Sequence, residues 1–271
     1  MELSEYCNKF GEGRLKSIAS LHLKYDGTDD EEAIKSYAED AKKNSKKIHL
    51  HIADTQEQAK KCIKATGMTP VQYLDKLGIL TAGLIGVNCL AVSDDDISLL
   101  KKNNVSVVYC PTSSAKLASG FVPVKKMIDK GINVCLGTDS GASNNNMDML
   151  EEMHIGSIVA KGQSGDALAM NAREAIKMAT INGAKALGID NTVGSLEAGK
   201  KADIIMFNQS SPFFLPESEL CNNIVYSASR NELEMTMADG KVLMERGKLL
   251  KLSHEKLARE FEESAAKLII K

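Results

Sequence analysis

Apolar and polar positions follow two alternating patterns along most of the chain. Residues 15–22 (LKSIASLH), 47–53 (KIHLHIA), 83–92, 105–109 and 132–136 are short apolar runs, and each reads as a β-strand. The stretches between them carry helical spacing. Ala33, Ile34, Tyr37, Ala38 and Ala41 share one face, with Thr28-x-x-Glu31 as the expected capping box. Thr69-Pro70 supplies an N-cap and first helical position ahead of Val71, Leu74 and Leu77, and Ser93-x-x-Asp96 caps the next helix. Val124, Met127 and Ile128 form an inward face after the fourth run, and two more helices are expected near 146–161 and 172–187. Strands separated by helices of this length predict βαβ units and a parallel sheet, whose strands are apolar because both faces are buried.

The pattern changes near residue 190. Gly194-x-Leu196-x-x-Gly199 turns into an apolar run at 202–207, and further β runs are expected at 224–226, 234–237 and 241–244. Asp239-Gly240 is the expected hairpin turn. Residues 254–270 carry Leu257, Phe261, Ala265 and Leu268 on one helical stripe. The expected organisation is therefore an α/β part over 1–190, a small β part over 191–253 and an amphipathic helix over 254–271.

Composition narrows the class. Of 271 residues, 43% are hydrophobic and 26% charged, which excludes disordered and collagen-like chains. The net charge of −2 gives no electrostatic reason to expect nucleic acid or an anionic membrane as partner. No stretch approaches the ~18–20 apolar residues of a membrane span, and no signal peptide is evident at the start. Six scattered cysteines without a C-x-x-C pair read as reduced thiols of a cytoplasmic protein.

Chemistry-bearing residues gather at the expected strand ends. Asp139 closes Leu136-Gly137-Thr138-Asp139 ahead of a polar stretch. In a parallel α/β fold such a carboxylate faces the ligand crevice, although an Asp there also suits the cap of the next helix. His51 and Asp54 form H-x-x-D at the end of the second run, with His49 on the same face as His51. Imidazole is the commonest metal ligand, whereas a lone strand histidine is more often a hydrogen-bonded core residue. His22 ends the first run. Pro111-Thr112-Ser113-Ser114 brings hydroxyls to the end of the fourth, where Tyr109 and Cys110 suit either lining or plain packing. His154 and His254 read as structural or solvated.

Four motifs then share one resemblance. H-L-H-I-A-D-T, C-P-T-S-S-A-K-L-A-S-G, L-G-T-D-S-G-A-S-N-N-N-M-D-M-L-E-E-M and G-S-L-E-A-G-K-K-A-D-I-I resemble, in order and spacing, the metal-dependent amidohydrolases. The nearest group is the chlorohydrolase-like deaminases of 5-methylthioadenosine and S-adenosylhomocysteine. The resemblance implies a partial (β/α)8 TIM-type barrel, about strands four to eight, followed by the C-terminal part of a small β-sandwich. It implies zinc or another divalent metal as cofactor, with His51 and Asp139 as ligands. Asp139 would also take a proton from the attacking water. Asp54 would stand in for a substrate-orienting Glu, and His22 and Ser143 would contact an adenosine-like substrate.

The departures from the family pattern fall on the same sites. The H-x-H pair of the family belongs to strand one, ahead of the resembling region. Val87-Asn88-Cys89-Leu90-Ala91 replaces A-H-C-V-H, Tyr109-Cys110 replaces His-Asn, and Asp54 is one methylene short of Glu. His49 lies one pleat, about 6–7 Å, deeper than His51 and is a poor third ligand. The resemblance thus supplies two donors where a catalytic zinc takes about three. One expectation is a hydrolase of non-peptide C–N bonds, completed by an N-terminal half or by self-association, or with Met1–Phe10 folded over a sheet edge. The other is a degenerate member that has lost its chemistry and acts as a binding or interaction protein. An unrelated open α/β binding protein would require four ordered motifs to coincide by chance.

Overall fold

The structure, a computed structural model, describes residues 18–216 and 219–269. Met1–Phe10, Cys7 and the start of the 15–22 run lie outside the described residues. Five strands form one sheet in chain order: β1 (Ala19–Leu21), β2 (Ile48–Ile52), β3 (Leu84–Asn88), β4 (Ser106–Tyr109) and β5 (Val134–Leu136). Every neighbouring pair is parallel. The 83–92 run yields only five strand residues. Asn88 (φ 66) and Cys89 (φ 50) are left-handed and turn the backbone out of the ladder.

The connecting helices are α1 (Glu31–Lys43), α2 (Gln56–Thr66), α3 (Pro70–Lys76), α4 (Asp94–Lys102), α5 (Pro111–Lys116) and α6 (Val124–Asp129). After β5 come α7 (Gly141–Asn144), α8 (Met149–Ser164), α9 (Ala172–Ala179) and α10 (Ile181–Leu187). The capping boxes at Thr69/Gln72 and Ser93/Asp96 are both present. The box at Thr28 is not. Asp30 caps α1 by accepting from Ala33 N, while the Thr28 hydroxyl donates to Asp26. A carboxylate directly at the helix start wins because its charge also meets the helix dipole. The single helix expected at 172–187 is two, broken at Thr180 (φ −131, ψ −98).

A second sheet is antiparallel: β6 (Ile204–Phe207), β7 (Leu233–Ala238), β8 (Lys241–Glu245) and β9 (Lys248–Leu249). Asp239 and Gly240, at φ 49 and 73, make the tight turn between β7 and β8. The β run expected at 224–226 is instead the end of helix α11 (Leu220–Tyr226). Its Val225 is buried and the segment packs on α8 and α9, so tertiary burial overrides the β-branched pattern. Helix α12 (His254–Ile269) ends the described chain, with Phe261 75% and Leu268 78% exposed.

The two faces of the parallel sheet differ. Ile48, Leu50, Ile52, Leu84, Val107 and Val134 belong to the main core under the helices. The other face aligns Ser20, His49, Ile85 and Ser106 in one row and His51, Val87, Val108 and Cys135 in the next. Only Ile85 and Cys135 join Ala186 of α10 in a small apolar cluster there, with Ile18 and Val108 at its border. Asn182 of α10 bonds Val134 O, and Asn133 bonds Asn182 O and Ser106 Oγ, which seats α10 against the start of β4 and β5.

Candidate functional site

The polar residues gather at the C-terminal ends of β2 to β5, the end at which parallel α/β folds hold their ligands. Asp139 follows β5 with φ 63, a left-handed conformation uncommon for non-glycine residues and one that aspartate adopts more readily than most. Gly137 permits the approach: a Cβ there would lie 2.6 Å from Val108 Cγ1. The helix cap is Ser140, not Asp139. Asp139 Oδ2 instead accepts from Ser113 Oγ at 2.6 Å and from Ser143 Oγ at 2.8 Å, so both hydroxyls use one oxygen and leave Oδ1 out of the pair. Partial burial alone would raise its pKa. The hydroxyls of Ser113 and Ser143, the backbone N–H of Ser140 and the charge of His51 outweigh that and hold the carboxyl below its usual range.

On the neighbouring strands, His51 Nδ1 lies 3.2 Å from the Asp54 carboxylate. That hydrogen bond raises the His51 pKa, with burial opposing. Asn88 Nδ2 donates to Asp54 Oδ1 at 2.9 Å. Two departures from the family pattern, 34 residues apart, therefore meet in one contact. Asn88 suits the left-handed position that ends β3, while its Oδ1 is buried with no partner among the described residues. His49 packs edge-on against His51 with ring centroids 5.7 Å apart, and Ser20 Oγ lies 3.4 Å from its Nδ1. Burial first, then the nearby His51, lowers the His49 pKa.

The structure thus bonds Asp139 to Ser143 and His51 to Asp54, and the Asp139 charge reaches both His49 and His51. His22 is exposed one residue past β1, and the hydrogen bonds of this cluster do not reach it. Tyr109 and Cys110 are each 1% exposed, so they pack rather than line an open mouth. His154 is structural, with Nδ1 3.1 Å from Val225 O. Sequence reading missed Glu152, a buried carboxylate beside this site. Its one signal was helical spacing, which puts it with Met149, Met153 and Gly156 on the inward face of α8.

One imidazole and one carboxylate make two donors of the right type for zinc. Among the described residues no group of three or more His, Cys, Asp or Glu stands close enough to hold a metal ion. The residues fit part of a zinc donor set and not the whole of one.

A family profile described as "Amidohydrolase family" matches residues 2–243. The chain belongs to that family. It is 41% identical over 258 residues to the 5-methylthioadenosine/S-adenosylhomocysteine deaminase of Thermoanaerobacter pseudethanolicus, covering 95% of this chain and 59% of the relative. It is 38% identical over 260 residues to the 5'-deoxyadenosine deaminase of Methanothermobacter thermautotrophicus, covering 96% and 60%. In structure it resembles an adenosine deaminase from Xanthomonas campestris with bound zinc, at a TM-score of 0.93 and 29% identity over 98% of this chain and 61% of that one. This amidohydrolase chain therefore spans about three fifths of the length of the curated relatives it matches. Among the described residues no helix is long and apolar enough to cross a membrane.

Proposed function

We propose that this amidohydrolase chain forms one side of a deaminase site for adenosine-like amino-heterocycles and hydrolyses a C–N bond once the site is completed. The reading rests on the strand-end cluster in which Asp139, held by two serine hydroxyls, stands near enough to His51 for each to perturb the other. His51 and Asp139 are the two metal donors this chain offers, and Asp139 accepts the proton of the attacking water. Ser143, Asp54 and His22 contact substrate. Zinc, when bound, supplies a Lewis acid that activates water near neutral pH.

In this reading β1 to β5 are barrel strands four to eight within 1–190. The antiparallel sheet within 191–253 is the C-terminal part of a small sandwich, and 254–271 is an appended helix. The remaining donors come from an H-x-H-bearing N-terminal half, on another chain or the same one, or the open face is covered by self-association. Free thiols at Cys62, Cys89, Cys110, Cys135 and Cys221 support a reducing, cytoplasmic setting. The charge of −2 favours a small-molecule partner over nucleic acid or membrane.

A second reading, a degenerate member acting only by binding, is favoured by the groups at the family's acid–base positions. Asn88 has no accessible pKa near neutrality, and burial pushes the Tyr109 hydroxyl, at the family's His position, up and out of reach of proton transfer. The discriminating experiment joins an H-x-H-bearing N-terminal half to this chain and measures ammonia release from 5-methylthioadenosine and S-adenosylhomocysteine. Low turnover is expected, with Asn88→His and Asp54→Glu together raising it ~10²-fold or more, a typical contribution of a positioned acid–base group. The two changes should be non-additive because their side chains touch. No turnover in either form would support the degenerate reading. High turnover without the changes would make Asn88 and Asp54 adaptations to another reaction.

A further inference from the structure

Glu152 is the buried charge that the proposed chemistry does not use. It lies in the first turn of α8 and is 1% exposed. Burial raises its pKa, with hydrogen bonds from Thr112 and Asn144 opposing. Keeping a carboxylate in such a place costs free energy that a well-packed apolar side chain of similar size would not. Its partners suggest why it is there. Oε1 accepts from Asn144 Nδ2 at 2.6 Å, and Oε2 accepts from the Thr112 backbone N–H at 3.3 Å. Asn144 adjoins Ser143, and Thr112 adjoins Ser113. Those two serines are the ones that donate to Asp139 Oδ2, at 2.8 and 2.6 Å.

The arrangement is two-sided. One carboxylate, Asp139, is approached by a hydroxyl from the segment after β4 and a hydroxyl from the segment after β5. The other, Glu152, grips the neighbouring residue of each segment from below, one oxygen apiece. Asn144 passes the constraint on, since its Oδ1 also accepts from Met147 N at 2.6 Å and so shapes the loop that leads into α8. Lys116 adds a lesser tie between the same segments, with Nζ donating to Ala142 O at 3.3 Å and to Asn145 Oδ1. Ser113, Ser143 and Asn144 are all buried, so water cannot easily replace a lost partner.

We propose that Glu152 is a positioning residue. It clamps the segments after β4 and β5 together so that Ser113 and Ser143 converge on one oxygen of Asp139 and keep the other oxygen presented. The inference rests on the reading that Asp139 is the working carboxylate of the site, but its test needs no activity, so the two can fail separately.

The test is backbone hydrogen exchange of the full chain, read in peptides covering 110–114 and 139–147. Both contain amides bonded within the segment, such as Ser114 N to Cys110 O and Asn144 N to Ser140 O. In Glu152→Gln the amide can accept on one side only, so one link is lost whichever way it turns. Exchange in at least one of the two segments should speed up about tenfold or more, with strand peptides unchanged. The double variant Glu152→Gln with Asn144→Asp restores both links, the one to position 144 with donor and acceptor exchanged and the one from the Thr112 N–H as before, and protection should return. A role in burial alone would show no such rescue. Unchanged exchange in the single variant, a uniform rise across all peptides, or a double variant that exchanges as fast as the single would each overturn the clamp.

Discussion

The two faces of the parallel sheet are built from the same strands and to different standards. On β2, Ile48, Leu50 and Ile52 point into the main core, with Leu50 and Ile52 fully buried. His49 and His51 alternate with them and stay half-exposed on the opposite side, where the apolar cluster holds few residues. One face is an interior whose buried residues join those of the helices in the main core. The other is polar towards the strand ends and carries the candidate chemistry. The packed core therefore lies on one side of these strands and the candidate chemistry on the other, with period 2 sorting the residues.

The largest expected effect tests that sorting directly. Leu50→Ala should lower unfolding free energy by about 2–5 kcal/mol, since it opens a cavity in a site with no solvent access. His49→Ala, one residue away, should cost less than about 1 kcal/mol, because its ring is half-exposed and its contact to Ser20 is long. Denaturant midpoints of the two variants check this. Equal losses would mean that the second face is as much a core as the first.

A smaller effect concerns pH. Burial raises the Glu152 pKa above its ordinary value of 4.5, so the folded state holds that proton more tightly than the unfolded chain. Its contribution is fully present below about pH 4.5 and is lost as pH rises through the folded-state pKa. Wild type should accordingly lose stability relative to Glu152→Gln as pH climbs from 4.5 towards 7.5. Unfolding midpoints of both proteins across that range check the sign, and the opposite slope would contradict the burial argument.

The sequence made the parallel order of β1 to β5 legible, because apolar runs and capping boxes are local signals. It also marked Asp139, His51, Asp54 and Ser143 as one group through the family motifs. What it concealed depends on approach between distant segments. The Asp54–Asn88 bond joins the segment after β2 to the end of β3, so each residue reads alone as a loss and together as a contact. Glu152 looks like one more helical acid until Thr112 and Asn144 are seen to reach it. The helix at 220–226 carries Ile224-Val225-Tyr226, a strand-like triplet, and is helical where the segment packs on α8 and α9 with Val225 buried. Thr28 lost its place as a cap to Asp30, two residues on and the stronger N-cap residue, because the Thr28-x-x-Glu31 box pattern drew the reading to the weaker one.

The central proposal is that His51 and Asp139 form only part of a metal site. The measurement that tests it most directly is the zinc content of the purified chain, equilibrated with zinc and then exposed to a mild chelator, alone and after joining to an H-x-H-bearing N-terminal half. With only His51 and Asp139 as donors, the chain alone should retain well under one ion per molecule, about a tenth or less. The joined protein should retain close to one, and Asp139→Ala should abolish that retention. A stoichiometric, chelator-resistant ion in the chain alone would contradict the account and would bring His49 or His22 into the donor set.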